Sequence, residues 1–130
     1  MNRKEIIEEI NKLNLDKNEF WVVGSSSLVL RNILEESKDI DLAITNKEYE
    51  SIKENLTYLG TNHNSEWYKL NDIIECCIDS FTKDKVEAEY PFNLIRLDYY
   101  YDNFLKDSTR DKDIEKKKLV ENILHSKGSD

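Results

Sequence analysis

The chain has 130 residues, enough to bury a core of its own and too few to divide it, so one domain over residues 1–130 is expected. Nineteen Lys and Arg stand against 27 Asp and Glu, and the formal charge of −8 repels phosphate backbones and anionic lipid, which speaks against long nucleic acid or a membrane as partner. Charged residues make up 35% of the chain, yet the apolar ones fall in periodic blocks, none nears the roughly 18 residues of a membrane span, and the charged start lacks a signal-peptide core.

Ile6, Ile7, Ile10 and Leu13 share one side of a predicted helix over 3–14. Phe20-Trp21-Val22-Val23 is a short apolar, β-branched and aromatic run that ends at Gly24, the pattern of a buried strand. From 25 to about 36, Leu28, Val29, Ile33 and Leu34 recur at helical spacing, so strand, Gly-Ser turn and helix follow at once. Ile40, Leu42 and Ile44 alternate with Asp39, Asp41 and Ala43, which is strand periodicity. Thr45-Asn46-Lys47-Glu48 fits a capping box, and Tyr49, Ile52, Leu56 and Leu59 form the face of the helix it starts, with Gly60 as its C′ residue. Residues 66–70 and 73–81 read as strands joined by a tight turn at Asn71-Asp72. Pro91 suits the first turn of a helix running to about 106 through Leu94, Leu97, Tyr101 and Phe104. A last helix spans about 110–125 through Ile114, Leu119, Ile123 and Leu124. The order α-β-α-β-α-β-β-α-α predicts an α/β (α+β) domain, a small mixed sheet with packed helices. The only cysteines, Cys76 and Cys77, are adjacent; they offer no disulfide framework and fit a reducing cytoplasm.

Chemistry concentrates between 20 and 45. A strand that ends in Gly24-Ser25-Ser26-Ser27 at a helix start exposes backbone N–H groups to an anion, and glycine lets a phosphate oxygen approach closely. Asp39 and Asp41, two apart on a strand, project from one face, where like charges repel unless a cation stands between them. Hard oxygen donors of this kind suit Mg²⁺, which takes one or two carboxylates and completes its shell with phosphate oxygens and water. An EF-hand reading fails, because Ala43 and Ile44 occupy the places of a ligand and the obligatory glycine. An aspartyl phosphatase reading fails as well, because Glu35-Glu36-Ser37-Lys38 precedes Asp39 where an apolar strand is required. A solvated strand face is the remaining alternative. In 73–81, alternation puts Glu75, Cys77 and Asp79 on one face. Elsewhere His63 and His125 read as surface residues, Tyr99-Tyr100-Tyr101 as helix aromatics at core and rim that also suit base stacking, and Lys116-Lys117-Lys118 as a solvated helix face.

Val22-Val23-Gly24-Ser25-Ser26, a helix carrying Arg31, and then Ser37-Lys38-Asp39-Ile40-Asp41-Leu42 resemble the signature of the nucleotidyltransferase superfamily with the polymerase-beta-like fold. The nearest flavour is the small stand-alone bacterial group, which takes in minimal nucleotidyltransferases, antibiotic-modifying enzymes and AbiEii-type toxins. Arg110-Asp111-Lys112-Asp113-Ile114 is similar to the Arg-x-Lys-Asp stretch that opens the last helix in many of them. The resemblance implies that Gly24, Ser25 and Ser26, with Lys112 and Arg110, hold a nucleoside triphosphate such as ATP. It implies that Asp39 and Asp41 bind Mg²⁺, and that a third carboxylate, Glu75 with Asp79 in reserve, completes a two-metal site. The implied reaction moves a nucleotide to a hydroxyl on a small-molecule or protein acceptor, with an acceptor site shared with a second copy or a partner protein. A catalytically degenerate binding module, such as half of a toxin–antitoxin pair, is the second expectation.

Overall fold

A computed structural model describes residues 1–128. Seven strands form one mixed sheet in the order β3-β4-β5-β2-β1-β7-β6. The strands are β1 (Phe20–Val23), β2 (Ile40–Ile44), β3 (Thr57–Asn62), β4 (Ser65–Lys69), β5 (Ile74–Ile78), β6 (Val86–Glu87) and β7 (Leu94–Ile95). The helices are α1 (Arg3–Asn11), α2 (Gly24–Leu30), α3 (Asn46–Ile52), α4 (Leu97–Tyr100), which continues as a π turn over Tyr101–Leu105, and α5 (Asp111–Gly128). None of the described helices is long and apolar enough to cross a membrane.

Alternation along the central strands divides the core in two. Phe20, Val22, Ile40, Leu42, Ile44, Ile74 and Cys76 face one way and pack with α1 through Ile6 and Ile10. Trp21, Ala43 and Cys77 face the other way, against Tyr100, Leu105 and Val120 from α4, its π turn and α5. β2 lies between antiparallel β1 and parallel β5, so it is buried along nearly its whole length. One face of fully buried Ile and Leu fixes its register, since a slip by one residue would turn every side chain over.

Several helix boundaries differ from expectation, and each difference has a local cause. α2 stops at Leu30 rather than near 36, because Asn32 adopts φ 62° and the N–H groups of Ile33 and Leu34 turn back to the Leu28 carbonyl, a left-handed stop. α3 stops at Ile52; after a 3-10 turn the chain enters β3, so Leu59 and Gly60 are strand residues and not a helix end. Leu56 and Leu59 match a helical period, but Leu59 is 49% exposed, and pairing with β4 takes the segment. Gly60, at φ 137°, sits where the β3–β4 register shifts, so its freedom serves a bulge. Pro91 opens no helix. It follows a cis peptide bond, and the chain then forms β7, which pairs with β1 at Val22↔Leu94 before α4 begins. The turn between β4 and β5 lies where expected, with the Asn71 side chain accepting from the N–H groups of Ile73 and Ile74.

Arg31 ties α2 to the β6–β7 edge: it donates to the Ile95 carbonyl at 2.8 Å and to Glu87 at 2.9 Å. Arg31→Met leaves that carbonyl without its partner, and denaturant unfolding is expected to show a loss of about 2 kcal/mol.

Candidate active site

β1 delivers the chain to Gly24 at φ 64°, a conformation that favours glycine. An added Cβ there would lie 2.9 Å from Asp41 Oδ2, so the turn passes directly beside that carboxylate. The two serines that follow Ser25 are spent on the turn itself. Ser26 donates its hydroxyl to the Val23 carbonyl and accepts from the Asp41 N–H, and Ser27 donates to the Gly24 carbonyl. Ser26 is therefore buried and holds β2 to the turn, while Ser25 lines the open cavity beside it.

The strand register brings the acids together. Val23 pairs with Asp41 across β1–β2, and Asp41 pairs with Glu75 across β2–β5. Adjacent strands lie about 4.8 Å apart, so Asp41 and Glu75 stand side by side, with Asp39 two residues before Asp41 on the same face. Burial first, and then the charges of Glu75 and Asp39, push the Asp41 pKa up to about 6, with Lys116 opposing. The reserve acid Asp79 is already engaged: Lys85 Nζ is 3.0 Å away and the Ser80 N–H donates to it. Among the described residues Glu75 is exposed and has no cation at ion-pair distance, so of the two it is the one open to a ligand.

All these acids, with Gly24, Ser25, Arg110 and Lys112, line one cavity of about 470 Å³, a size suited to a small-molecule ligand. α5 packs over this face of the sheet and contributes Lys112, Asp113 and Lys116, and Arg110 just before it lines the cavity as well. Trp21, Ala43, Cys77 and Trp67 from the sheet, packed with Tyr99, Tyr100 and Phe104, also line it. The Trp67 ring is fixed by a hydrogen bond to the Asn62 carbonyl, and His63, at the tip of the β3–β4 hairpin, meets Phe104 edge-on at 5.0 Å. Burial pushes both Cys76 and Cys77 up to about 12, so these thiols stay protonated and inert. His125 is exposed on α5 and does not line the cavity.

Among the described residues no three His, Cys, Asp or Glu side chains converge closely enough to cage a metal ion. The donor set still fits Mg²⁺, which needs only one or two carboxylates when phosphate and water complete its shell. Asp39, Asp41 and Glu75 are the hard oxygen donors that would hold it, and the bare Cα of Gly24 keeps the space beside Asp41 clear. Sequence reasoning overlooked Trp67 and Phe104, whose place depends on the packing of a hairpin against a π turn. It also placed Lys116 on a solvated face, whereas its side chain is only 16% exposed and lines the cavity.

The mixed sheet with its packed helices has a nucleotidyltransferase-like fold. Among solved structures it resembles the aminoglycoside nucleotidyltransferase ANT(2")-Ia in complex with adenylyl-2"-tobramycin. The TM-score is 0.58 at 17% identity, covering 95% of this chain and 87% of that one. No protein-family model and no curated protein matches the chain.

Two outcomes follow from this geometry. Folding raises the Asp41 pKa from 3.8, so the metal-free protein takes up a proton there and loses stability as pH climbs from about 4 through about 6. Asp41→Asn removes that penalty: at pH 7.5 without divalent metal it is expected to gain about 2 kcal/mol in denaturant unfolding, and at pH 3 almost nothing. Gly24→Ala forces an L side chain into the left-handed region against Asp41, and a loss of about 1–2 kcal/mol is expected in the same assay.

Proposed function

We propose that this protein is a Mg²⁺-dependent nucleotidyltransferase that moves a nucleoside monophosphate from a nucleoside triphosphate to a hydroxyl on a compact acceptor, releasing pyrophosphate. The observation that carries the reading is the Asp41↔Glu75 register, with Asp39 on the same face and the Gly24 turn against Asp41. Three acids crowded at one end of a cavity are costly without a cation, and the opposite wall is basic, so the site is complementary to a metal–polyphosphate complex.

Bound Mg²⁺ would neutralise the triphosphate and lower the pKa of the attacking hydroxyl. The chain supplies the rest. Gly24 and Ser25 present backbone N–H groups, and Ser25 a hydroxyl, to the phosphates that leave. Arg110, just before α5, and Lys112 on its first turn line the same cavity and offset the charge that builds there. Glu75, the exposed acid, is placed to take the proton of the acceptor hydroxyl. Trp67, Tyr99 and Phe104 line the same cavity and limit the acceptor to something compact. That the fold neighbour was solved with adenylyl-2"-tobramycin supports a small-molecule acceptor, and the net charge of −8 disfavours a polynucleotide. The small stand-alone bacterial group is the subfamily we assign, with a cytoplasmic location and an acceptor site shared with a second copy or a partner protein.

The test is transfer of α-labelled ATP, GTP, CTP or UTP in Mg²⁺ to a panel of hydroxylated small molecules and to lysate. Asp39→Asn, Asp41→Asn and Glu75→Gln are each expected to slow transfer by about a hundredfold or more, with Asp79→Asn near wild type. Absence of any Mg²⁺-dependent triphosphate binding would sink the enzyme reading. Binding without transfer would instead favour a catalytically inert module, such as half of a toxin–antitoxin pair.

A further inference from the structure

The helix α5 carries a charge where its core-facing stripe calls for an apolar residue. Val120 is fully buried on that stripe, and two turns earlier, on the same side, stands Asp113, only 6% exposed. A buried carboxylate is retained only with partners, and Asp113 has three. Ser108 donates its hydroxyl at 2.6 Å, Lys116 Nζ lies 3.6 Å from one carboxylate oxygen, and Arg110 Nε lies 3.9 Å from the other. This arrangement adds little to folding as such: a buried ion pair is often no more stabilising than apolar residues of the same volume. Its consequence is positional. Lys116 follows Asp113 by one helical turn and Lys112 by four residues, so Lys112 and Lys116 share a face of α5. Both line the cavity across from Asp39, Asp41 and Glu75. A lysine on a solvated helix sweeps many rotamers, whereas Lys116 is confined by the Asp113 carboxylate and the cavity it lines, with only 16% of its side chain exposed.

Resting on the nucleotidyltransferase reading, we infer that Lys116 is a triphosphate-binding residue, and that buried Asp113 is the positioning residue that aims it across the cavity at the phosphates. The ammonium supplies up to three donors to an anionic oxygen, and its distance from Asp113, beyond a close hydrogen bond, leaves it able to turn toward a more highly charged ligand. Lys117 and Lys118, the neighbours in the same basic run, do not line the cavity. Only one lysine of the three serves the site.

Calorimetric titration of the full chain with AMP, ADP, ATP and inorganic tripolyphosphate, with and without Mg²⁺, tests this. Lys116→Gln is expected to weaken ATP and tripolyphosphate by about tenfold or more, the range of a lost charge-assisted contact, and AMP by less than about twofold. Lys116→Arg is expected to restore most of the difference, and Lys118→Gln to leave every affinity unchanged. Asp113→Asn should weaken ATP by a smaller factor and flatten the ATP-to-AMP preference, which a purely structural lesion would not do selectively. Melting curves identify any variant that fails to fold; in that event Lys116→Met, which keeps the stem, replaces Lys116→Gln. Equal ATP and tripolyphosphate affinities for wild type and folded Lys116→Gln or Lys116→Met would overturn the assignment of Lys116 while leaving the transferase reading intact. A wild type that binds no triphosphate overturns both.

Discussion

The structure depends on holding Asp41 and Glu75 side by side at the start of two parallel strands. Asp41 is the centre of the arrangement, with Glu75 beside it on β5, Asp39 before it, and the Gly24 turn against it from β1. Like charges at that spacing oppose folding, so other parts of the fold must impose the register. The opposite face of β2 does so. Ile40, Leu42 and Ile44 are fully buried, as is Ile74 on β5, and apolar burial of this kind stabilises by about 1.5–3 kcal/mol per side chain. A slip that relieved the acids would expose those residues. The repulsion on one face is thus held in place by hydrophobic burial on the other.

The same constraint explains how far the sequence could be read. The acid pair, the strand into the Gly-Ser turn and the helix after it are local patterns, each visible in a few consecutive residues. Glu75 against Asp79 was not local: both fall on the same alternation within 73–81, and only the parallel register of β5 with β2 and the Lys85 ion pair separate them. β6 and β7 have two residues each and carry no periodic signal; they exist because the free edge of β1 takes up β7, which in turn pairs with β6. The segment 56–60 satisfied a helical period and a helix stop at once, yet became a strand with a bulge, since partner strand β4 decides its state. Within 24–27, sequence alone treats the serines alike. The fold gives Ser26 and Ser27 to the turn and leaves Ser25 to the cavity.

Lys116 shows the reverse error. A run of three lysines in an acidic chain is most simply solvent-facing, and that holds for Lys118, which is exposed. Helical geometry separates neighbours in such a run by about 100° each, so one of three can face inward while another meets water. The clue lay three residues upstream, where Asp113 occupies a position that the burial of Val120 marks as core-facing. A charged residue in phase with an apolar stripe is a stronger signal than the lysine run itself.

The net charge of −8 therefore describes the molecule and not its cavity. One wall bears Asp39, Asp41 and Glu75; the other bears Arg110, Lys112 and Lys116, with Asp113 paired to Arg110 and Lys116 and Asp79 to Lys85. Opposed walls of opposite sign select against simple ions of either kind. A bare polyphosphate is drawn to α5 and repelled by β2 and β5, and a lone divalent cation meets the converse. A polyphosphate that brings its own cation satisfies both walls at once, because the cation faces the acids while the phosphates face the bases. The separation of charge across one cavity thus supports the proposed metal–polyphosphate ligand over either component alone, inside a protein whose overall field opposes long polyanions.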